Sequence, residues 1–389
     1  MPPLPLHLPL LIEGASLRWR SSGRALFLPP GADRPTTRRS RYPEQLGKYW
    51  LGPIDPSRPH DEPQGGYGLV KAGVNSETGE RVCCKLSHLE YEGSEAQRME
   101  IILQAGLKHP NIVDLKDIVF EKPAGRQRKQ ICMIMELLTG GELFSEVVDE
   151  GGLPEPRARA LFRQILLGMA YCHKRKLVHR DIKLENLLLT QDKMTVKIAD
   201  FGLAKNVSED AAKTVIGTAK YVAPEMLAGS EYDGFKSDMW SCGVCLYCMT
   251  ECRFPFTKAG NDGVGGHGVH QTTAGNLRLM QDLQKANYTL KDARSPEYRA
   301  FLARLLCPNV AHRYTAEEAL MDPWIVTAEE PASLNKELLD AMDTSSLVVP
   351  TEYTTEQWMD RIKVVMSMKG GAAATEPEMG EEDEDEDAF

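Results

Sequence analysis

The sequence lacks the features that mark membrane-spanning and secreted proteins. It contains no run of about 18 apolar residues, the length that a transmembrane helix needs. Its apolar start, "MPPLPLHLPLLIEG", has no basic leader and contains four prolines, which argues against a secretory signal. These absences predict a protein without a membrane partner.

Basic residues are missing from the C-terminal end. The last fourteen residues contain nine acids and no Lys or Arg, so the net charge of −10 leaves only −1 for the rest of the chain. Such a run repels itself and stays in solvent. We expect a disordered acidic tail over residues 371–389 that either keeps the protein soluble or docks on a basic partner. Neither role favours nucleic-acid binding.

The N-terminal leader, residues 1–47, is rich in proline and arginine. Seven arginines stand against one acid, Asp33, between residues 16 and 41, a composition typical of organelle transit peptides. The alternative, which we favour, is a disordered start without a targeting role. Nine cysteines without a secretory signal indicate a reducing compartment, so we expect a cytoplasmic or nuclear protein.

Four of the cysteines have a spacing that resembles a metal motif. Cys242, Cys245, Cys248 and Cys252 repeat the C-x2-C-x2-C-x3-C pattern of iron–sulfur proteins. They lie in "DMWSCGVCLYCMTECRFPF", an apolar segment whose one turn residue is Gly243. Cluster ligands need a loop that wraps around the metal, whereas a helix places these small residues along one buried face. We therefore predict cysteines that pack rather than bind metal.

The order of hydrophobic patterns predicts a mixed α+β fold with two lobes. β-leaning runs extend to "ICMIMELL" (residues 131–138), and helical patterns such as "PRARALFRQILLGMAYCHK" follow. A small sheet-rich lobe at 48–135 should therefore precede a larger helical lobe at 139–325. Residues 326–370 form a C-terminal extension.

Four short motifs occur in a fixed order. "LVHRDIKLENLLL" places Asp181 and Asn186 five residues apart in a loop, where a carboxylate can face a hydroxyl and an amide oxygen can face a metal. "KIADFGLA" places Asp200 at the end of a short strand, and "GTAKYVAPEM" follows. Upstream, "RVCCKLS" ends a strand at Lys85, a cation suited to phosphate oxygens.

Together these motifs resemble those of eukaryotic protein kinases, and Lys183 two residues after Asp181 is the serine/threonine pattern. The resemblance implies the two-lobed kinase fold and transfer of the γ-phosphate of ATP, with Mg2+, to Ser or Thr of proteins. It assigns Lys85 to the α- and β-phosphates, paired with a Glu on the αC helix for which Glu100 is the candidate. The other assignments are Asp181 as catalytic base, Lys183 as γ-phosphate contact, and Asn186 and Asp200 as magnesium ligands.

The resemblance also assigns the walls of the nucleotide cleft. Met135 matches the residue that gates the adenine pocket, and Glu136 begins the hinge. The other residues implied at the cleft are Gly65, Gly66, Gly68, Val70, Cys83, Leu138, Glu142 and Leu188.

The glycine-rich loop departs from the kinase pattern G-x-G-x-x-G-x-V. In "DEPQGGYGLV" the second and third glycines are Gly65 and Gly68, but Pro63 holds the first position. Residues 55–63 read as an insertion, since its prolines cannot donate to a strand ladder. The N–H groups at the tip of the loop, on Gly66 and its neighbours, remain. The alternative function is a pseudokinase that serves as a binding scaffold.

Finer features resemble the plant relatives of the yeast sucrose-non-fermenting kinase, especially the osmotic-stress-activated subfamily. These are "GGELF", "HRDIKLEN", "EYDGFKSDMWSCGVCLY" and the acidic C-terminus. The resemblance implies stress or nutrient signalling controlled by an upstream kinase or phosphatase acting at Thr214. Arg180 would receive that phosphate. The insertions and the leader depart from the subfamily.

Two further expectations concern substrates and the extension. Glu142 and Glu185 match acids that contact arginine upstream of the phosphoacceptor, although Cys248 stands where a further acid often lies. We therefore expect protein substrates with an upstream Arg. "TTEQWMDRIKVVMSM" predicts an amphipathic helix around Trp358 that packs beside the αC helix. The alternatives are a calmodulin target or packing elsewhere on the large lobe.

Overall fold

The computed structural model describes residues 44–52, 64–65, 68–88, 95–121, 130–206, 220–228, 231–256, 281–291, 293–328 and 330–342. Within them a curled antiparallel sheet precedes a mainly helical part, which confirms the predicted mixed α+β kinase-like architecture. No helix among these residues is both long enough and apolar enough to span a bilayer.

The N-terminal part is built on one sheet and one helix. Its elements are β1 (Glu44–Leu46), β2 (Tyr49–Gly52), β3 (Gln64–Gly65), β4 (Gly68–Asn75), β5 (Arg81–His88), α1 (Glu95–Ala105), β6 (Leu115–Glu121) and β7 (Gln130–Glu136). The sheet order is β1-β2-β4-β5-β7-β6, with β3 paired to β4. Every pair is antiparallel. β1 lies before residue 48, where the sequence patterns placed the start of the small lobe, because a three-residue strand has too little alternation to be recognised.

The two faces of this sheet have different tasks. Side chains alternate between faces along a strand, so adjacent residues of β5 point in opposite directions. Cys84 packs in an apolar cluster with Leu46 and Leu51 on one face. Cys83 and Lys85 therefore lie on the opposite face, together with their cross-strand partners on β4.

The C-terminal part carries the larger core. Its elements are β8 (Gly141–Glu142), α2 (Leu143–Glu150), α3 (Glu155–Lys174), β9 (Leu177–Val178), β10 (Leu187–Leu189), β11 (Val196–Ile198), β12 (Lys205–Asn206), α4 (Gly234–Glu251), α5 (Pro296–Leu305), α6 (Ala316–Leu320) and α7 (Ala332–Asp340). Small sheets form in the orders β11-β10-β8 and β12-β9. Short 3-10 turns occur at Leu184–Asn186, Pro224–Ala228 and Val310–His312. The core surrounds α3 and α4.

Helix α4 contains the cysteine motif. Its N-cap is Asp233, whose carboxylate accepts hydrogen bonds from the second and third residues after it. Cys242, Cys245 and Cys248 are buried along the helix, which confirms that they pack in the core. Cys252 is the C-cap, and it adopts a left-handed conformation with φ of 54°.

The fold continues beyond residue 325, where the sequence patterns ended the large lobe. Arg163 on α3 is buried, and its Nε and Nη2 both donate to Oδ1 of Asn335 on α7, at 2.8 and 2.6 Å. The Asn335 amide nitrogen donates to the Leu320 carbonyl. The start of the C-terminal extension is therefore an integral layer of the helical part.

Candidate active site

The centre of the site is a cation between two carboxylates. Strand β5 carries Lys85, whose Nζ lies 2.5 Å from Oε1 of Glu100 on α1 and 3.2 Å from Oδ1 of Asp200. Burial alone would lower the pKa of Lys85, but the charges of Glu100 and Asp200 outweigh burial and raise it. The predicted Lys85–Glu100 ion pair is thus present, and Lys85 stays charged at neutral pH.

Local backbone geometry directs Asp200 into this arrangement. Asp200 has a left-handed φ of 61°, and the following Phe201 is fully buried against the ring of His179, with centroids 4.9 Å apart. Burial would raise the pKa of Asp200, but Lys85 outweighs burial and lowers it. A Cβ at Gly202 would lie 3.3 Å from the Asp200 carboxylate, so the small residue after Phe201 leaves room for this carboxylate.

The loop before β10 gathers the predicted catalytic residues. Lys183 Nζ lies 2.7 Å from Oδ2 of Asp181. Asn186 Nδ2 donates to the main-chain oxygen of Asp181 at 2.8 Å and to its carboxylate at 3.2 Å. These bonds use the amide nitrogen of Asn186, which leaves its oxygen as the atom suited to a metal.

Asp238, on α4, supports this loop and was not among the residues predicted from the sequence. Its carboxylate accepts hydrogen bonds from the main-chain N–H groups of His179 and Arg180, at 2.8 and 2.9 Å. It also lies 3.1 Å from Nε2 of His173 on α3. These bonds hold Arg180 at a left-handed φ of 70°. The signal was available in "KSDMWS", where a polar residue interrupts an apolar helix.

The cleft residues divide into two groups. Val70, Ala72, Cys83 and Lys85 share the inner face of β4 and β5, because Val70 pairs with Lys85 and Ala72 with Cys83. Met135 on β7 is the cross-strand neighbour of Cys83.

The second group of cleft residues is an apolar cluster. It contains Val113, Leu138 and Ala199, with Met135 and Leu188 packed against it. Met135 belongs to both groups and so joins the sheet to the cluster. In the glycine-rich loop, Gly65 pairs with Gly68 across β3 and β4.

Glu136 and Glu142, two acids predicted at the cleft, are both held within the fold. Both carboxylate oxygens of Glu136 accept from Lys197 Nζ, at 2.7 and 2.9 Å, and one also accepts from the Asp114 N–H. The Glu136 side chain is therefore tied to Lys197 on β11 and to the main chain of Asp114. Glu142 is buried, with 3% of its surface exposed.

Glu185 lies beneath the segment that ends in "APE". The hydroxyl of Tyr221 donates to Oε2 of Glu185 at 3.1 Å, and burial raises the pKa of this carboxyl. Tyr221 is itself tied to α4, because Ser241 Oγ donates to its carbonyl at 2.9 Å. Neither contact was predicted from the sequence. Other predicted features lie outside the described residues: the loop tip at Gly66, the phosphorylation site Thr214 and the helix around Trp358.

Comparison with known proteins decides the family. A family model described as "Protein kinase domain" matches residues 63–325, more than half of the chain. The chain belongs to the protein kinase family. It is a serine/threonine kinase, because the curated relatives that it matches over most of its length are serine/threonine-protein kinases.

These relatives place the kinase near two plant groups. It is 32% identical to "Serine/threonine-protein kinase SRK2G" of Arabidopsis thaliana over 316 residues, which are 80% of this chain and 83% of the relative. It is 34% identical over 267 residues to "Serine/threonine-protein kinase SAPK4" of Oryza sativa subsp. japonica, covering 67% of this chain and 69% of the relative. It is also 33% identical to "CBL-interacting serine/threonine-protein kinase 3" of Arabidopsis thaliana, covering 76% of this chain and 62% of the relative. The near-equal identities leave the subfamily a prediction.

The donor set of the kinase fits magnesium. Mg2+ prefers oxygen ligands and is usually held by one or two side chains together with substrate phosphates. Asp200 supplies a carboxylate with a lowered pKa, and Asn186 supplies the amide oxygen left by its nitrogen's hydrogen bonds. Asp200 lies beside Lys85, and Asn186 lies beside Asp181 in the catalytic loop, residues 179–186. The phosphates of ATP would be held between them.

Proposed function

We propose that this kinase phosphorylates Ser and Thr residues of proteins through the site at Lys85, Asp181 and Asp200. The supporting observation is the contact of Lys85 with both Glu100 and Asp200. A displaced α1 or a flipped Asp200 would break one of these contacts. The arrangement therefore favours a catalytically competent conformation over the scaffold role that the altered glycine-rich loop keeps open.

Each side chain has a distinct task in this proposal. Lys85 binds phosphate oxygens, and Glu100 keeps its ammonium directed at them. Asp181 accepts a hydrogen bond from the substrate hydroxyl and orients it for attack. Lys183, 2.7 Å from Asp181, opposes the charge of the transferred phosphoryl group.

The metal ligands in this proposal are Asn186 and Asp200. When bound, magnesium neutralises phosphate charge and supplies electrostatic stabilisation of the transferred group. The Asn186 amide is held by its bonds to Asp181, so the metal ligand and the hydroxyl-orienting carboxylate keep a fixed separation.

The site is tested with Asp181→Asn in the full-length chain. The substitution removes a charge and little volume, so phosphotransfer to a Ser/Thr peptide should fall at least about a hundredfold while the Kd for ATP changes little. Asp149→Asn on the exposed end of α2 makes the same change away from the site and should retain activity. Equal phosphotransfer by the Asp181 and Asp149 variants would refute the catalytic assignment.

We also propose control by phosphorylation of Thr214 in stress or nutrient signalling. Arg180 supports this, since its main chain is locked by Asp238 beside the catalytic loop and its guanidinium can meet an added phosphate. Activity of the Thr214→Ala variant should stay at the unphosphorylated level. Thr214 phosphorylation in cells should rise after osmotic stress or nutrient withdrawal. If Thr214→Ala were as active as the phosphorylated wild type, the proposed control at Thr214 would be wrong.

A further inference from the structure

Lys220 is an exposed cation beside the catalytic loop. It precedes Tyr221, whose hydroxyl bonds Glu185 four residues after Asp181. Its Nζ lies 4.6 Å from the centroid of the Phe254 ring, and Phe254 in turn meets the Tyr221 ring edge-on at 5.4 Å. The two aromatic rings therefore fix where the ammonium lies, instead of leaving it on a freely rotating side chain.

The surroundings of Lys220 do not neutralise its charge within the part of the chain that the structure describes. Its ammonium lies there over the Phe254 ring, a neutral partner. Beneath it on α4 lies Cys248, whose pKa burial raises well above its ordinary value, with Glu185 adding to the rise and Lys220 opposing it. Cys248 is therefore a neutral thiol, and Glu185 is buried with its carboxylate bonded to Tyr221.

The segment that carries Lys220 is joined directly to the loop that contains Asp181. The Tyr221–Glu185 bond makes this junction, and a substrate hydroxyl has to reach Asp181. In the proposed function, the substrate residues beside the phosphoacceptor would face this junction. An anionic side chain there would gain a cation that is already held in place, at little cost in side-chain entropy.

We propose that Lys220 is a specificity-determining residue that selects a substrate carboxylate, from Asp or Glu, close to the phosphoacceptor. The inference rests on the proposed function, because it assigns a preference to the same site. It adds a second charge requirement to the upstream Arg expected from Glu142 and Glu185. The preferred substrate peptide would then carry an Arg upstream of the phosphoacceptor and an Asp or Glu close to it.

The test uses the full-length kinase with Mg-ATP and a peptide series in which one Glu is moved through the positions around the phosphoacceptor. A parent peptide with Ala throughout provides the reference. At one position Glu should raise kcat/KM about three- to tenfold over Ala, as for a partly desolvated ion pair. This ratio should fall as ionic strength rises.

Three substitutions of Lys220 and one control substitution separate recognition from structure. Lys220→Ala should reduce the Glu-to-Ala ratio to about one, and Lys220→Arg should retain it. Lys220→Glu should bring the Glu-to-Ala ratio below one. A peptide with Lys at the same position should then be phosphorylated better than the Ala peptide. Lys336→Glu, the same charge change on an exposed residue of α7, should keep the wild-type ratio.

The outcomes are distinct. Loss of the ratio in Lys220→Ala and its inversion in Lys220→Glu would support the inference. Wild-type phosphorylation of the parent peptide without any preference for Glu would overturn it and leave the proposed function standing. Persistence of the preference in Lys220→Ala would overturn it as well. A wild type that binds ATP but phosphorylates no peptide would remove the proposed function and this inference together.

Discussion

Arg163 and Asn335 lie 172 positions apart and form one buried hydrogen-bonded unit, with two guanidinium nitrogens on a single amide oxygen. Glu330 adds an ion pair to Arg163 at 2.8 Å. Lys174, at the end of α3, donates to the Leu339 carbonyl at 2.6 Å. Residues 330–342 therefore stabilise the helical part of the kinase by packing against α3.

Asn335→Ala should lower the free energy of unfolding by about 1–3 kcal/mol, because it leaves a buried guanidinium without its main acceptor. The measurement is urea denaturation of the full-length chain. Lys336→Ala, the next residue on the same helix but exposed, should change the stability by less than about 0.5 kcal/mol. Equal effects of the two substitutions would mean that α7 contributes nothing specific to the fold.

Cys83 and Cys84 are neighbours with different tasks, and matched substitutions should separate them. Cys83→Leu should weaken ATP binding about tenfold or more with little change in Tm, since its side chain faces the cleft. Cys84→Leu should lower Tm instead, because Cys84 is fully buried in the outer cluster and a larger side chain overpacks it. ATP titration and thermal melting of both variants test the assignment. Weaker ATP binding in Cys84→Leu and a lower Tm in Cys83→Leu would instead place the nucleotide on the face of the sheet that carries Cys84.

Cys252 occupies a left-handed position that strains an L-residue. Cys252→Gly should raise the free energy of unfolding by about 0.5 kcal/mol, as relief of strain exceeds the entropic cost of glycine. Cys252→Ala keeps the strain and loses the contact of Sγ with the Val147 carbonyl, so it should be less stable than the wild type. Stability of the Gly variant below that of the Ala variant would contradict this account.

His109 should make stability depend on pH. Burial, and after it the charge of Lys197, lowers its pKa to about 4, and Nδ1 accepts a hydrogen bond from the Asn111 N–H. In the unfolded chain His109 binds a proton below about pH 6.5, whereas in the folded chain it does so only below about pH 4. The neutral buried His109 therefore contributes its full stabilisation at neutral pH, and this contribution is lost as the pH falls from about 6.5 to about 4.

His109→Gln should remove that pH dependence. Between pH 7 and pH 5 the wild type should lose about 2 kcal/mol more stability than the variant, from the difference in proton binding alone. Urea denaturation at the two pH values gives the difference, and titrations elsewhere in the chain cancel in it. Parallel pH profiles of the two proteins would show that His109 is not buried neutral.

The residues singled out by local motifs lie together in the structure, whereas the long-range packing could not be read from the sequence. Asp181, Asn186 and Asp200 stand in short motifs that resemble those of protein kinases, and Glu100 was the candidate that the same resemblance offered for the partner of Lys85. The Arg163–Asn335 pair could not be predicted, because no local pattern links residues so far apart. The Tyr221–Glu185 bond was missed for the same reason, since each residue type is ordinary in its own segment.

The central claim is that Lys85, held by Glu100 and Asp200, serves an active phosphotransfer site. The most direct measurement is labelled phosphate transfer from ATP to a Ser/Thr peptide library by the full-length chain and by Lys85→Met, with ATP affinity measured in parallel. The account predicts transfer by the wild type and a loss of at least about a hundredfold in the variant. Tight ATP binding by the Thr214-phosphorylated wild type without any transfer would contradict it and indicate a scaffold.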